Sequence, residues 1–187
     1  MIRLFYNYYE DKNPTRKQEI DLCYKNNLAN PLLNVVILDT KDRPTYKFFF
    51  DKINEITSNN DINIICNSDI FFDETISLTE KLKEKQVWAL SRWDWKGNGT
   101  SIHFNRQDSQ DTWIIRGKVE NVYGDFPLGK RGCDNRIAHE FHKAGYSISN
   151  PSKTVKSHHV HNSNIRTYGM KDVVPPPYKV LPPEDLP

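Results

Sequence analysis

No apolar run in the chain approaches the ~18 residues that a membrane-spanning helix needs. The opening "MIRLFYNYYEDKNP" also lacks the long apolar stretch of a secretion signal. A soluble, cytoplasmic protein without a membrane span is therefore expected. Cysteine is scarce: Cys23, Cys66 and Cys133 are odd in number, far apart and form no CxxC pair, which excludes a disulfide scaffold and a cysteine-rich zinc site. They are expected to be small core residues in a reducing compartment. Charge of one sign is missing too. Lys and Arg together number 26 against 24 Asp and Glu, so there is no basic field of the kind that drives nucleic-acid binding. Glycine is absent from "YNYYEDKNP", where a phosphate-cradling loop would follow a first strand, and GxxxxGK[ST] occurs nowhere. That counts against a P-loop enzyme and a sugar-nucleotide nucleotidyltransferase.

What is present is 187 residues, enough for one domain with a sizeable core. Ile2 to Tyr8 is rich in β-formers, and Thr15 to Asn27 spaces Ile20, Cys23, Tyr24 and Asn27 at helical intervals. "NVVILDT" (34–40) and "INIIC" (62–66) are continuous apolar runs, the mark of strands covered on both faces. Pro44 opens a second helix carrying Tyr46, Phe49, Phe50, Ile53 and Ile56, and 73–85 reads as a third, weaker helix. "VWALSRW" (87–93) is a fourth strand and "DTWIIRG" a short fifth, and "KGNGTSIHFNRQDSQ" between them reads as a polar loop. A last helix runs from Cys133 or Asp134 to Ala144 and stops at Gly145. One or two short strands follow, then a proline-rich tail, "VVPPPYKVLPPEDLP", either lying on the body as an arm or disordered. Three strand-then-helix passes predict an α/β sandwich of Rossmann-like type with a mainly parallel sheet, and ligands beyond the carboxyl ends of its strands.

Asp39, Asn67, Ser68, Asp69, Arg92 and Asp94 all fall at such ends. Asp69 can hold a divalent cation through oxygen, or it can simply open a turn; Asp73 suits a helix cap. On a strand, His159 and His161 share a face and His158 takes the other, so the pair could supply a metal ligand and a phosphate contact, or be incidental on an exposed edge. Asp134 at a helix start can cap the helix or act as a general base toward a hydroxyl. Trp93 and Trp95, beside a glycine loop, are candidates for a sugar platform, whereas Trp88 and Trp113 read as core.

The stretches "ICNSDIFFDET", "ALSRWD", "SQDTWII", "DFPLGKRGCDNRIAHEFHKAGY", "NPS" and "HHVHNSNIRTY", in this order and spacing, resemble the small GT-A-fold glycosyltransferases of large DNA viruses and some bacteria. Among these are glycosyltransferase domains of capsid-glycosylation proteins. The resemblance covers residues 1–169 as one GT-A domain and leaves 170–187 as a C-terminal arm. It implies a nucleotide-sugar donor, usually a UDP-sugar, a glycan or glycoprotein acceptor, and Mn²⁺ or Mg²⁺ on the diphosphate. For a viral protein the compartment would be the host cytoplasm. Asn67-Ser68-Asp69 would be the DXD-like element, with Asn in place of the first acid, so that Asp69 and His161, with His159 as the alternative, would hold the metal. Tyr6, Asn7, Asp39 and Arg43 would lie near the nucleoside. Asp134 would deprotonate the acceptor, and Asp111 and Asp94 would face donor sugar or acceptor. Two alternatives stand beside this: a non-catalytic sugar-binding module on a degenerate GT-A fold, and the nucleotidyltransferase already disfavoured.

Overall fold

The computed structural model describes every residue except 164, 166–168, 170, 171 and 187. Part of the motif "HHVHNSNIRTY" and the 169/170 boundary therefore border on or fall outside the described residues.

The first strand, β1 (Ile2–Asn7), leads into helix α1 (Pro14–Ala29), which starts where the Asn13 side chain accepts the Thr15 and Arg16 N–H groups and Pro14 takes the first turn. Then come β2 (Asn34–Leu38), α2 (Tyr46–Ile56) capped by Thr45, and β3 (Ile62–Cys66). After β3 the chain forms β4 (Ile70–Phe72), a 3₁₀ helix (Glu74–Lys81), β5 (Gln86–Leu90), β6 (Trp93–Trp95), β7 (Ser101–His103) and β8 (Thr112–Arg116). Helix α3 (Cys133–Lys143), β9 (Ser147–Ser149) and β10 (Ser157–His159) complete it.

Six strands form the main sheet in the order β2-β1-β3-β8-β5-β9. The expected mainly parallel sheet is in fact mixed. β1 pairs in parallel with β2 and β3, and β5 with β9, but β8 lies antiparallel between β3 and β5. This inversion is what brings the start of β8, and so Asp111, to the edge where β3 and β5 end. Side-chain alternation fills both faces. Phe5, Ile65, Ala89, Trp113 and Ile115 pack against α2 and α3, whereas Leu4, Tyr6, Ile64, Trp88 and Ile114 pack toward β4 and the 3₁₀ helix. The three cysteines are buried and unbridged.

Three other expectations change. The weak helix at 73–85 is a shorter 3₁₀ helix: the Ser77 and Thr79 hydroxyls donate to the carbonyls of Glu74 and Ile76 three residues back, so these side chains favour the tighter turn. The strand read at 87–93 stops at Leu90, because Ser91 leaves the sheet: its N–H donates to Asn150 Oδ1 and its hydroxyl bonds the carbonyls of Arg106 and Ser109. The polar loop that follows is instead a hairpin of β6 and β7, part of a second sheet ordered β4-β10-β6-β7.

The proline-rich tail lies on the body. Val174 and Leu181 are buried, the Leu181 N–H donates to Gln107 O, and its carbonyl accepts from Asn150. Among the described residues no helix is long and apolar enough to cross a membrane.

Candidate active-site cleft

A cleft of about 970 Å³ opens at the carboxyl edge of β1 and β3 and the amino end of β8, and residues of the β10 end and the α3 start also line it. It collects Asn7, Arg43, Asn67, Ser68, Asp69, Arg92, Asp111, Asp134, His159 and His161, nearly all of the residues named from sequence. Tyr6 and Asp39 are not brought there. Tyr6 faces inward from β1, fully buried near Tyr24, and its hydroxyl donates to the Ser68 carbonyl. Asp39 is exposed, and its neighbour Thr40 reaches the cleft instead. Asp94 stands behind the lining, where Oδ1 accepts from Arg92 at 2.9 Å and pairs with His159 Nδ1 at 3.3 Å. Trp93 and Trp95 belong to the second sheet and do not line the cleft; Trp93 donates to Ser152 O, and Trp95 packs edge-on to Phe71.

One wall holds the Asp69 group. β10 ends at His159, yet the alternation persists, so the His159 and His161 rings stack at 5.4 Å while His158 turns the other way to Asp73. His159 Nε2 lies 3.1 Å and His161 Nδ1 3.5 Å from Asp69 Oδ2. Asp73 also caps the 3₁₀ helix by accepting the Thr75 N–H. Burial alone would raise the Asp69 carboxyl, but His159 and then Arg16 outweigh it and hold it well below the usual carboxylate range. Burial opposes charge on His159, whereas Asp69 and Asp94 raise it to about 9.

Asp69, His159 and His161 each offer a ligand atom, all within 4.8 Å of one another. Their chemistry fits a divalent cation: Asp69 Oδ1 is buried with no hydrogen-bond partner, and one carboxylate with two imidazoles suits Mn²⁺ better than the oxygen-seeking Mg²⁺. Asn67 contributes no charge to this group. Its amide donates to Asp111 Oδ1 at 2.9 Å, and its carbonyl oxygen lies close to Gly129, whose positive φ and lack of a side chain keep that approach open.

Another part of the cleft lining holds Asp134. It is the second residue of α3 rather than its cap; Gly132, at φ +80, occupies the cap position with no side-chain hydrogen bond. A side chain at Gly132 would meet Tyr178 Oη at 2.8 Å and the Val174 carbonyl at 2.9 Å, so the tail fixes this turn. Asp134 Oδ1 accepts from the Cys133 thiol at 3.1 Å, and burial keeps that thiol protonated by raising it well above its ordinary value. Burial, and then the nearby Asp111 carboxylate, push Asp134 up to about 8. Asp111 has both oxygens engaged, Oδ1 by Asn67 and Oδ2 by Arg92 at 3.1 Å. Arg92 in turn lies 3.9 Å over the Phe104 ring.

Arg16 and Cys133 are among the site residues that went unread in the sequence. Arg16 of α1 bonds Asp69, and Cys133 bonds Asp134. Arg16 carried a signal, since it precedes Ile20 by four and Cys23 by seven and so puts a charge on the buried face of its helix. No protein-family model, curated protein or solved structure matches the chain.

Proposed function

We propose that the protein is a GT-A-type glycosyltransferase that moves a sugar from a nucleotide-sugar donor, by resemblance a UDP-sugar, to a hydroxyl of a glycan or glycoprotein. The observation that carries this reading is the pairing, in one cleft, of a cation-ready Asp69, His159 and His161 group with a separate carboxyl, Asp134, held near pH 8. Glycosyl transfer needs both: a site for the diphosphate of the leaving group and a base for the incoming hydroxyl.

Asp134 is the base. A carboxyl with a pKa of about 8 is a far stronger proton acceptor than an ordinary one, yet it still ionises in the physiological range. The Cys133 thiol donates to Oδ1 and the Gln110 backbone N–H also bonds the carboxylate, which together orient it for proton transfer. Asp111, with both oxygens engaged, is a positioning residue that holds Arg92 and raises the basicity of Asp134. Lys41, Arg43, Lys130 and Arg131 line the same cleft and give the phosphates positive surroundings. Asn7, whose amide oxygen accepts from Thr40 at 3.0 Å and whose carbonyl accepts from Ser68 at 2.6 Å, closes the end of β1 on the nucleoside side. A divalent cation held by Asp69, His159 and His161 would supply charge stabilisation to the departing diphosphate.

Incubation with a panel of nucleotide sugars, an acceptor glycan mixture and Mn²⁺ tests the reading: nucleotide release and a glycosylated product are expected with one donor. Absence of release with every donor, together with glycan binding that ignores chelator, would replace the enzyme with a sugar-binding module.

A further inference from the structure

Arg16 is the buried charge that this chemistry leaves without a task. It sits in the first turn of α1, yet its guanidinium reaches into the metal-ligating group itself. Nη2 donates to Asp69 Oδ2 at 2.6 Å, and Nη1 lies 2.9 Å from His161 Nδ1, 3.1 Å from Glu19 Oε2 and 3.4 Å from the Val160 carbonyl. A guanidinium has only donors, so His161 Nδ1 must present its lone pair to Arg16. That lone pair, and the Oδ2 of Asp69, are the electrons a metal ion would need.

We propose that Arg16 is a resident cation of the Asp69, His159 and His161 group, which must release Asp69 and His161 before a divalent metal can bind, so that metal loading is coupled to arrival of the donor diphosphate. The inference rests on the metal-assisted reading above and deepens it. Four features support the exchange. Arg16 is not orphaned by release, because Glu19 and the Val160 carbonyl remain as partners. Glu19 is itself fixed by the Ser163 N–H at 2.7 Å and hydroxyl at 2.9 Å, so the guanidinium pivots about a firm anchor. Arg16 also lines the cleft, where a diphosphate offers the oxygens that a released guanidinium pairs with best. The unpartnered Asp69 Oδ1 gives an entering ion a first contact before Oδ2 is freed. By linkage, a diphosphate that draws Arg16 away tightens metal binding, and the metal tightens diphosphate binding by the same factor.

The test is Mn²⁺ binding to the whole protein, followed by electron paramagnetic resonance with and without UDP. Wild type binds Mn²⁺ weakly alone and at least about tenfold more tightly with UDP, a coupling of ~1.4 kcal/mol. Arg16→Met, similar in length but uncharged, binds Mn²⁺ alone at least about tenfold more tightly than wild type and loses most of the UDP effect; Arg16→Lys gains less. Adding Asp69→Asn to Arg16→Met removes the gain. Unchanged or weaker Mn²⁺ affinity in folded Arg16→Met overturns the proposal, and if that variant fails to fold, the same result in Arg16→Lys does so. Because these titrations need no turnover, a protein that shows the Mn²⁺ gain but no sugar transfer keeps the Arg16 exchange and loses the glycosyltransferase reading. Absence of Mn²⁺ binding in every variant overturns the exchange itself.

Discussion

Asp69 and Asp134 are two buried or half-buried carboxyls in one cleft, and the protein drives them in opposite directions. Asp69 is held by two cationic, hydrogen-bonding groups, His159 and Arg16, and stays ionised against the cost of burial. Asp134 has a thiol donor and a neighbouring carboxylate, Asp111, and is pushed up to about 8. The same side chain thus serves as a permanent anion in one part of the cleft and a proton acceptor in another. Environments that force two titratable groups apart are how a site divides binding from acid–base work.

The largest effect that should break this contrast is Asp134→Asn. Transfer should fall by roughly 10²- to 10⁴-fold, the usual worth of a general base, while calorimetry with UDP shows donor binding intact. Equal loss of UDP binding would place Asp134 in donor recognition instead. Asp69→Asn should come next. It removes one of the two carboxylate partners of the buried Arg16 and leaves Glu19, so urea unfolding should show a loss of about 1.5–3 kcal/mol together with loss of Mn²⁺ binding.

The contrast also has a pH signature. Asp134 is raised from 3.8 to about 8 by folding, so the stability linked to its proton is full below pH 4 and is lost as pH rises toward 8. Asp69 is depressed, so its contribution is present above pH 4 and is lost only in strong acid. Asp134→Asn should flatten the decline between pH 4 and 8, read by urea midpoints at each pH, and leave the acid limb in place. Activity has the opposite sense: kcat/KM should climb to a plateau through pH about 8, because only the ionised base works.

Smaller changes should sharpen the comparison. Asp111→Asn removes the like charge and should move the midpoint of the kcat/KM profile down by about one pH unit. Cys133→Ala removes a donor to the carboxylate and should move it up by less than that, whereas Cys133→Ser restores a donor and should return it toward wild type. A midpoint indifferent to both changes would mean that Asp134 is not the titrating group.

The sequence announced one part of the cleft better than the other. The continuous apolar run at 62–66 revealed a strand buried on both faces, whereas the similar run at 34–38 is the edge strand β2 with Ile37 exposed; strand-end position was enough to single out Asp69. Helix periodicity found α1, α2 and α3, and Asp134 with the last of them. The antiparallel sense of β8 was hidden, since an apolar run such as "TWII" reads the same in either direction, and with it the reason that Asp111 joins Asp134. A short strand at β10 was expected, but the second sheet it joins was hidden because β4, β6 and β7 are three residues each, too short for a period to register. Arg16 meets Asp69 across 53 positions of sequence, and only the packing of α1 beside β4 brings them together.

Carboxyl titrations of Asp69 and Asp134 in one sample, followed by carbon-13 nuclear magnetic resonance and assigned through Asp69→Asn and Asp134→Asn, test the opposed protonation of the two groups most directly. An Asp134 inflection near pH 8 is expected, with no Asp69 inflection in the ordinary carboxylate range. Two carboxyls that both titrate near pH 4 would contradict that opposition.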